Sequence, residues 1–314
     1  MKKPILFATF TLIATSLLSA SVDAAARIAS FPIRRGTQPI SITQGPDGNL
    51  WFTLQNSSKI ARITPNGVIN EFRTPTISFP FDITAGPDGN VWFTEGSTGK
   101  IGFIDPSEQI TEITFSTFHA AAGITGGPDG NIWFCDSTGN RIWRCDIDTH
   151  ALTPFAVPVL GSFPEDITAG ADGALWFTGL ANGQIGRITT DGQITTLGSG
   201  LNSIRSISDG PDGNVWFTFS FEPMVGRITP TGEVTIFPTP SNPEQITRGE
   251  GNVLLFTEFG ASRIAEITTD GVVTESPVLP HTAEPTGITL GPGHTIWFLD
   301  FNNNRVFETD SRIF

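Results

Sequence analysis

One nine-residue phrase recurs along this chain: GPDGNLWFT at 45–53, GPDGNVWFT at 86–94, GPDGNIWFC at 127–135, GADGALWFT at 170–178 and GPDGNVWFT at 210–218. Looser copies stand at 249–257 (GEGNVLLFT) and 291–299 (GPGHTIWFL). Aligned on the aromatic pair, they place Trp51, Trp92, Trp133, Trp176, Trp216, Leu255 and Trp297 in register, roughly 41 residues apart. Internal repetition at that period overrides the two domains that length alone would suggest. It fits one four-stranded propeller blade per repeat, so the expected fold is an all-β, seven-bladed propeller over residues 27–314.

Each repeat spells four strands. The first is a Pro-x-x-Ile-Thr run, as in PFDIT (80–84) and PEDIT (164–168), and the second is the Trp-Phe run. The third begins Lys/Arg-Ile, as in KIARI (59–63), and the fourth resembles INEFRTP (69–75). Glycine-bearing turns such as PNG (65–67) and TDG (190–192) separate the third from the fourth. The last repeat supplies only three strands, ending at RVFETD (305–310), whereas RIASFPI (27–33) precedes the first complete one. The N-terminal strand is therefore expected to complete the seventh blade and close the ring, leaving no open sheet edge.

The first 26 residues read as a secretory signal, with Lys2 and Lys3, an apolar run to about Ala20, and small residues through Ala26. Export to a periplasm or the medium is expected, with no membrane span after cleavage. A net charge of -13, with only 18 Lys and Arg, argues against nucleic acid and anionic membranes as partners. A monomer is expected. The two cysteines, Cys135 and Cys145, fall on adjacent strands of the third blade, with Cys145 opposite a residue near Ile132. That register points to two buried thiols rather than a disulfide. Trp143 replaces the Ala or Gly found at positions 61, 102, 186, 226 and 265, which reads as extra packing between blades.

In a propeller the first strand lines the axis, so the loops sort onto two faces. The GPDG aspartates share one face in the same turn of five blades, which marks them as structural. The opposite face, the axial mouth, is where the repeat varies. The residue after Pro is Ile40, Phe81, Ala122, Glu165, Arg205, Glu244 and Thr286 in successive blades, and the residue ending the second strand is Leu54, Glu95, Asp136, Gly179, Phe219, Glu258 and Asp300. Structural positions in a repeat should repeat, whereas a binding surface need not. Glu165, Arg205, Thr286, Glu258, Phe259 and Phe301 are accordingly the candidate ligand-binding residues. Solvated acids on an exposed rim are the simpler reading of the same carboxylates. His119, His150, His281 and His294 occupy unrelated repeat positions, and no phosphate loop, HExxH or GxSxG motif is present.

The recurring GPDGNxWFTE…KIGRIT pattern resembles the virginiamycin B lyase family, also called streptogramin lyases, over essentially all of residues 27–314. The resemblance implies a lyase that linearises cyclic depsipeptide antibiotics by elimination across an ester, conferring antibiotic resistance. It implies a histidine as base or acid and Mg2+ as electrophile. The family's functional residues sit in PHAI and EPHGI motifs. Here the first reads PEQI (243–246), with Glu244 in the histidine position, and the second EPTGI (284–288), which keeps Glu284 but has Thr286 where the second histidine belongs. Asp300 in WFLDF (297–301) stands nearest to a further family glutamate, and the chain contains no tyrosine. Glu284 and Glu244 are thus the candidate catalytic residues, and Glu284 and Asp300 the candidate Mg2+ ligands. Three functions follow: an exported propeller binding a small molecule or peptide at the axial mouth; a Mg-dependent carbon–oxygen lyase opening a cyclic ester; and a protein-interaction propeller.

Overall fold

The computed structural model describes residues 27–116, 119–179, 183–198 and 200–314, with the backbone alone at 184. The expected export segment, 1–26, lies outside them. The described residues form seven four-stranded antiparallel sheets. Blade 1 runs outward through Pro39–Gln44, Leu50–Leu54, Lys59–Ile63 and Ile69–Arg73, and the other blades follow the same order. The seven-bladed propeller read from the repeat is thereby borne out.

Closure occurs where the sequence places it. Ala29–Pro32 pairs antiparallel with Arg305–Asp310, Ala29 opposite Glu308 and Pro32 opposite Arg305. Phe31 stacks on Trp297 at 5.8 Å, as Phe72 of blade 1 stacks on Trp51 at 5.4 Å. The N-terminal strand thus fills the place of an ordinary fourth strand in packing as well as in pairing. The Asn304 side-chain oxygen also accepts from the Thr37 and Gln38 amides, tying the last blade to the approach of the first.

The Trp-Phe pair builds the core by strand alternation. Successive residues of a strand face opposite sides of the sheet, so within each pair Trp turns to one neighbouring blade and Phe to the other. Trp51 shares a buried cluster with Phe93, Trp92 with Phe134, Trp133 with Phe177, Trp176 with Phe217, Trp216 with Phe256, and Trp297 with Phe52. Leu255 takes the Trp role against Phe298. The same two-residue device recurs at all seven blade-to-blade interfaces.

The GPDG turn serves that device. Asp47 accepts from the Asn49 amide at 3.1 Å and from the Trp51 indole nitrogen at 3.0 Å, and Asp88, Asp129, Asp172 and Asp212 bond their own tryptophans likewise. Where Leu255 replaces Trp, the turn has no aspartate either. A Cβ on Gly45 would lie 2.4 Å from the Trp51 ring, and Gly48 sits at φ 74°. Both glycines are therefore required by geometry.

Cys145 pairs with Ile132, and both cysteines are buried and free, as the register predicts. Trp143 stacks on Phe134 of its own blade at 6.2 Å and packs on Phe115 of the preceding blade at 5.7 Å. Its packing is thus partly within the blade. Its indole also donates to Asp136 at 3.2 Å, a role packing alone does not anticipate.

Candidate functional site

The axis is reached through a bulge. In six blades the first-strand register shifts between the residue at the Pro position and the Ile, as between Pro39 and Ile42 or Pro164 and Ile167. The two intervening residues escape the ladder and turn toward the axis, which is the usual work of a bulge. The second-strand threonine fixes them in place. Thr218 Oγ1 accepts from the Ser206 amide of its own blade at 3.1 Å and donates to the Glu244 carbonyl of the next at 2.9 Å. Thr53, Thr178 and Thr257 reach the carbonyls of Phe81, Arg205 and Thr286 in the same way. A threonine shared by five blades holds the backbone while the side chain above it varies; blade 7 has Leu299 there. Cys135 stands in this position in blade 3.

The space these bulges enclose is a cavity of about 270 Å³. Ile40, Phe81, Phe259 and Phe301 supply apolar wall; Glu165, Arg205, Glu244 and Thr286 supply polar groups. Arg205 Nη2 lies 2.6 Å from Glu244 Oε1. Burial pushes the Glu244 carboxyl upward in pKa, and Arg205 opposes that. Burial also raises Glu165; Arg205 counters it and the nearby Glu244 charge adds to it. Thr286 is buried and donates to the Pro39 carbonyl at 3.2 Å, across the seam between the last and first blades.

Beneath these lies a floor that the sequence argument missed. Ser41, Asp82, Asp166, Ser206 and Gln245 line both this cavity and a narrower space of about 200 Å³ further along the axis. Asp82 accepts from Ser41 Oγ at 2.6 Å and from the Ile124 amide at 2.9 Å; Asp166 accepts from Ser206 Oγ and the Ile207 amide, both at 2.9 Å. These carboxylates latch neighbouring blades around the axis. Burial, with the Asp82 charge in addition, pushes Asp166 up to about 7. The signal was available, since this second bulge position also varies from blade to blade.

The predicted site residues divide. Glu165, Arg205, Glu244, Thr286, Phe259 and Phe301 come together. Glu258 and Asp300 do not reach the cavity, because each stands one strand further from the axis, Asp300 opposite Pro285, and both are wholly buried. Neither Glu258 oxygen has a hydrogen-bond partner among the described residues, and burial, with Glu275 beside it, pushes its carboxyl up to about 8. Asp300 organises its loop, accepting from the Glu284 and Asn303 amides at 3.2 Å and the Asn303 side chain at 2.9 Å. Glu284 accepts from the Asn302 side chain and also lies outside the cavity lining.

Mg2+ was implied at Glu284 and Asp300. The donors present do not make a cage for it: Asp300 spends both oxygens on its loop, and no group of three or more His, Cys, Asp or Glu stands at metal-holding separation among the described residues. No histidine is among the residues lining the axial cavity. His119 instead bonds Asp136 through Nδ1 at 2.9 Å, clipping a connection in blade 3.

Among the described residues no helix is long and apolar enough to cross a membrane. The profile of the virginiamycin B lyase family matches residues 10–199 and again 120–312. A solved streptogramin B lyase is 33% identical, covering 91% of this chain and 98% of its own, with a TM-score of 0.86. A catalytically inactive histidine-to-alanine variant of virginiamycin B lyase from Staphylococcus aureus, solved with quinupristin, is 36% identical over 91% of this chain and 99% of its own, at a TM-score of 0.85. The extracellular domain of a hybrid two-component system protein from B. thetaiotaomicron shares the fold, at 16% identity over 92% of this chain and 43% of its own, with a TM-score of 0.73. No curated protein matches the sequence.

Proposed function

The chain belongs to the virginiamycin B lyase family, and from that premise we propose that it is an exported, monomeric propeller that binds a small molecule or short peptide in its axial cavity and does not linearise antibiotics. The observation that carries this reading is the Glu165, Arg205 and Glu244 group sharing one cavity with three phenylalanines, assembled from the positions where the repeat varies. An apolar wall with a few convergent polar groups is what a ligand pocket requires. Exposed apolar residues ring the same face: Ile77 and Phe79 on one connection, Leu160 and Phe163 on another, Phe221 on a third. They suit a ligand wider than the cavity itself.

The case against elimination is chemical. A positioned base contributes about 10² to 10⁴ in rate, and the S. aureus relative is inactive as a histidine-to-alanine variant. Here Glu244 and Thr286 hold the positions where the resemblance places histidines. Glu244 is engaged by Arg205 and Thr286 by the Pro39 carbonyl. One feature favours a lyase nonetheless: burial raises Glu244 toward the range of a useful base.

Incubation with quinupristin and Mg2+, followed by liquid chromatography and mass spectrometry, separates the two. The expected result is saturable binding, weakened about tenfold or more by Phe259→Ala, with the antibiotic recovered unchanged. Conversion to an isomer of unchanged mass, abolished by Glu244→Gln, would establish the lyase instead.

A further inference from the structure

The axial cavity is short of positive charge. Four carboxylates line it, on Glu165, Glu244, Asp82 and Asp166, against the single guanidinium of Arg205. Three of the four have direct partners. Glu244 forms the ion pair with Arg205, and the two aspartates accept from serine hydroxyls and backbone amides. Glu165 accepts no hydrogen bond and forms no ion pair within 4 Å among the described residues, although it is half-buried. It feels Arg205 only at longer range, and shares that guanidinium with Glu244.

The walls point the same way. Phe81 from blade 2, Phe259 from blade 6 and Phe301 from blade 7 line the cavity, and the last two stand 6.4 Å apart at a tilt of 59°. Aromatic faces carry negative charge density and attract organic cations, more strongly where water is excluded. A half-buried carboxylate in a cavity with aromatic walls is costly until a cation joins it.

Resting on the reading of this cavity as the ligand site, we propose that its ligand carries an organic cation, an ammonium on an apolar or aromatic body, and that Glu165 is the residue that recognises that charge. The ammonium takes the open side of Glu165, and the Arg205–Glu244 pair stays intact beside it. The ligand's body lies against the phenylalanines. An anionic ligand of the same shape meets an excess of carboxylates, and a neutral one leaves Glu165 without a partner.

The test uses three probes with one aromatic body: 2-phenylethylammonium, 2-phenylethanol and phenylacetate, titrated into the full chain and followed by NMR shifts. A buffer of about 0.15 M ionic strength screens the general attraction of an acidic protein for cations. The ammonium is expected to bind about tenfold more tightly than the alcohol, and the acid more weakly than either. Glu165→Gln should bring ammonium and alcohol to equal affinity, and Phe259→Ala should weaken both. Equal or tighter binding of the alcohol or the acid, still sensitive to Phe259→Ala, overturns the cation assignment and leaves the cavity as a ligand site. An ammonium preference that survives Glu165→Gln removes Glu165 from the role. No saturable binding of any probe removes the cavity reading as well.

Discussion

A single hydroxyl decides where the axial side chains stand. Thr218, itself buried, accepts one hydrogen bond from Ser206 and donates one to the part-buried Glu244 carbonyl. Thr218→Val keeps the shape and removes both, leaving a buried amide and a partly buried carbonyl short of a partner. A loss of about 1–3 kcal/mol is expected on denaturant unfolding, together with weaker ligand binding as Glu244 loses one of its two backbone anchors. A variant as stable as the parent would show that the threonine is only a β-former in this position. Glycine at the first place of the GPDG turn is the counterpart on the other face, where the indole ring leaves no room for a Cβ. The repeat thus spends its recurrent residues on holding the backbone, which frees the mouth positions to differ.

The element that matters most for integrity is the four-residue strand that closes the ring. Ala29–Pro32 satisfies the open edge of Arg305–Asp310 and places Phe31 on Trp297. Removing residues 27–34 exposes that edge and one face of a tryptophan. The melting temperature should fall on the order of 10 °C, since losing one large aromatic alone costs about 3–5 kcal/mol. An unchanged melt would mean that the seventh blade is stable with three strands. At this scale the sequence was legible in detail. The constant eight-residue step from the Trp position to the third strand, Trp51 to Lys59 through Trp297 to Arg305, is reproduced by strands that begin at those residues in all seven blades. Hairpins of fixed length have one register that buries the apolar face.

For the whole molecule, buried carboxylates make stability depend on pH in a defined sense. Burial holds Glu258 up at about 8, and Glu95 and Asp166 at about 7. A group raised in the folded state contributes stability that is full below its unfolded pKa and is lost as pH climbs through the folded value. Asp47, Asp172 and Asp212 act oppositely: burial disfavours their charge, but the amide, indole and guanidinium donors around them outweigh it, so their contribution is lost on acidification. Thermal stability should therefore peak near about pH 5 and decline toward about pH 9. Glu258→Gln should flatten the alkaline limb, and an unchanged limb would remove Glu258 from that account.

Sequence alone determined the blade count, the strand order, the closing strand, the thiol register and the face on which variation falls, because each follows from a repeat read against strand periodicity. It also named six residues that the fold brings to one cavity. Tertiary structure alone decided which carboxylates share that cavity. Glu258 and Asp300 vary from blade to blade as Glu165 and Glu244 do, yet they sit one strand further from the axis and turn into the blade. Variation along a chain shows that a position is free to change, but it does not give the direction of a side chain. That direction comes from the bulge, from the distance to the axis, and from the partners that each side chain meets only when seven blades close.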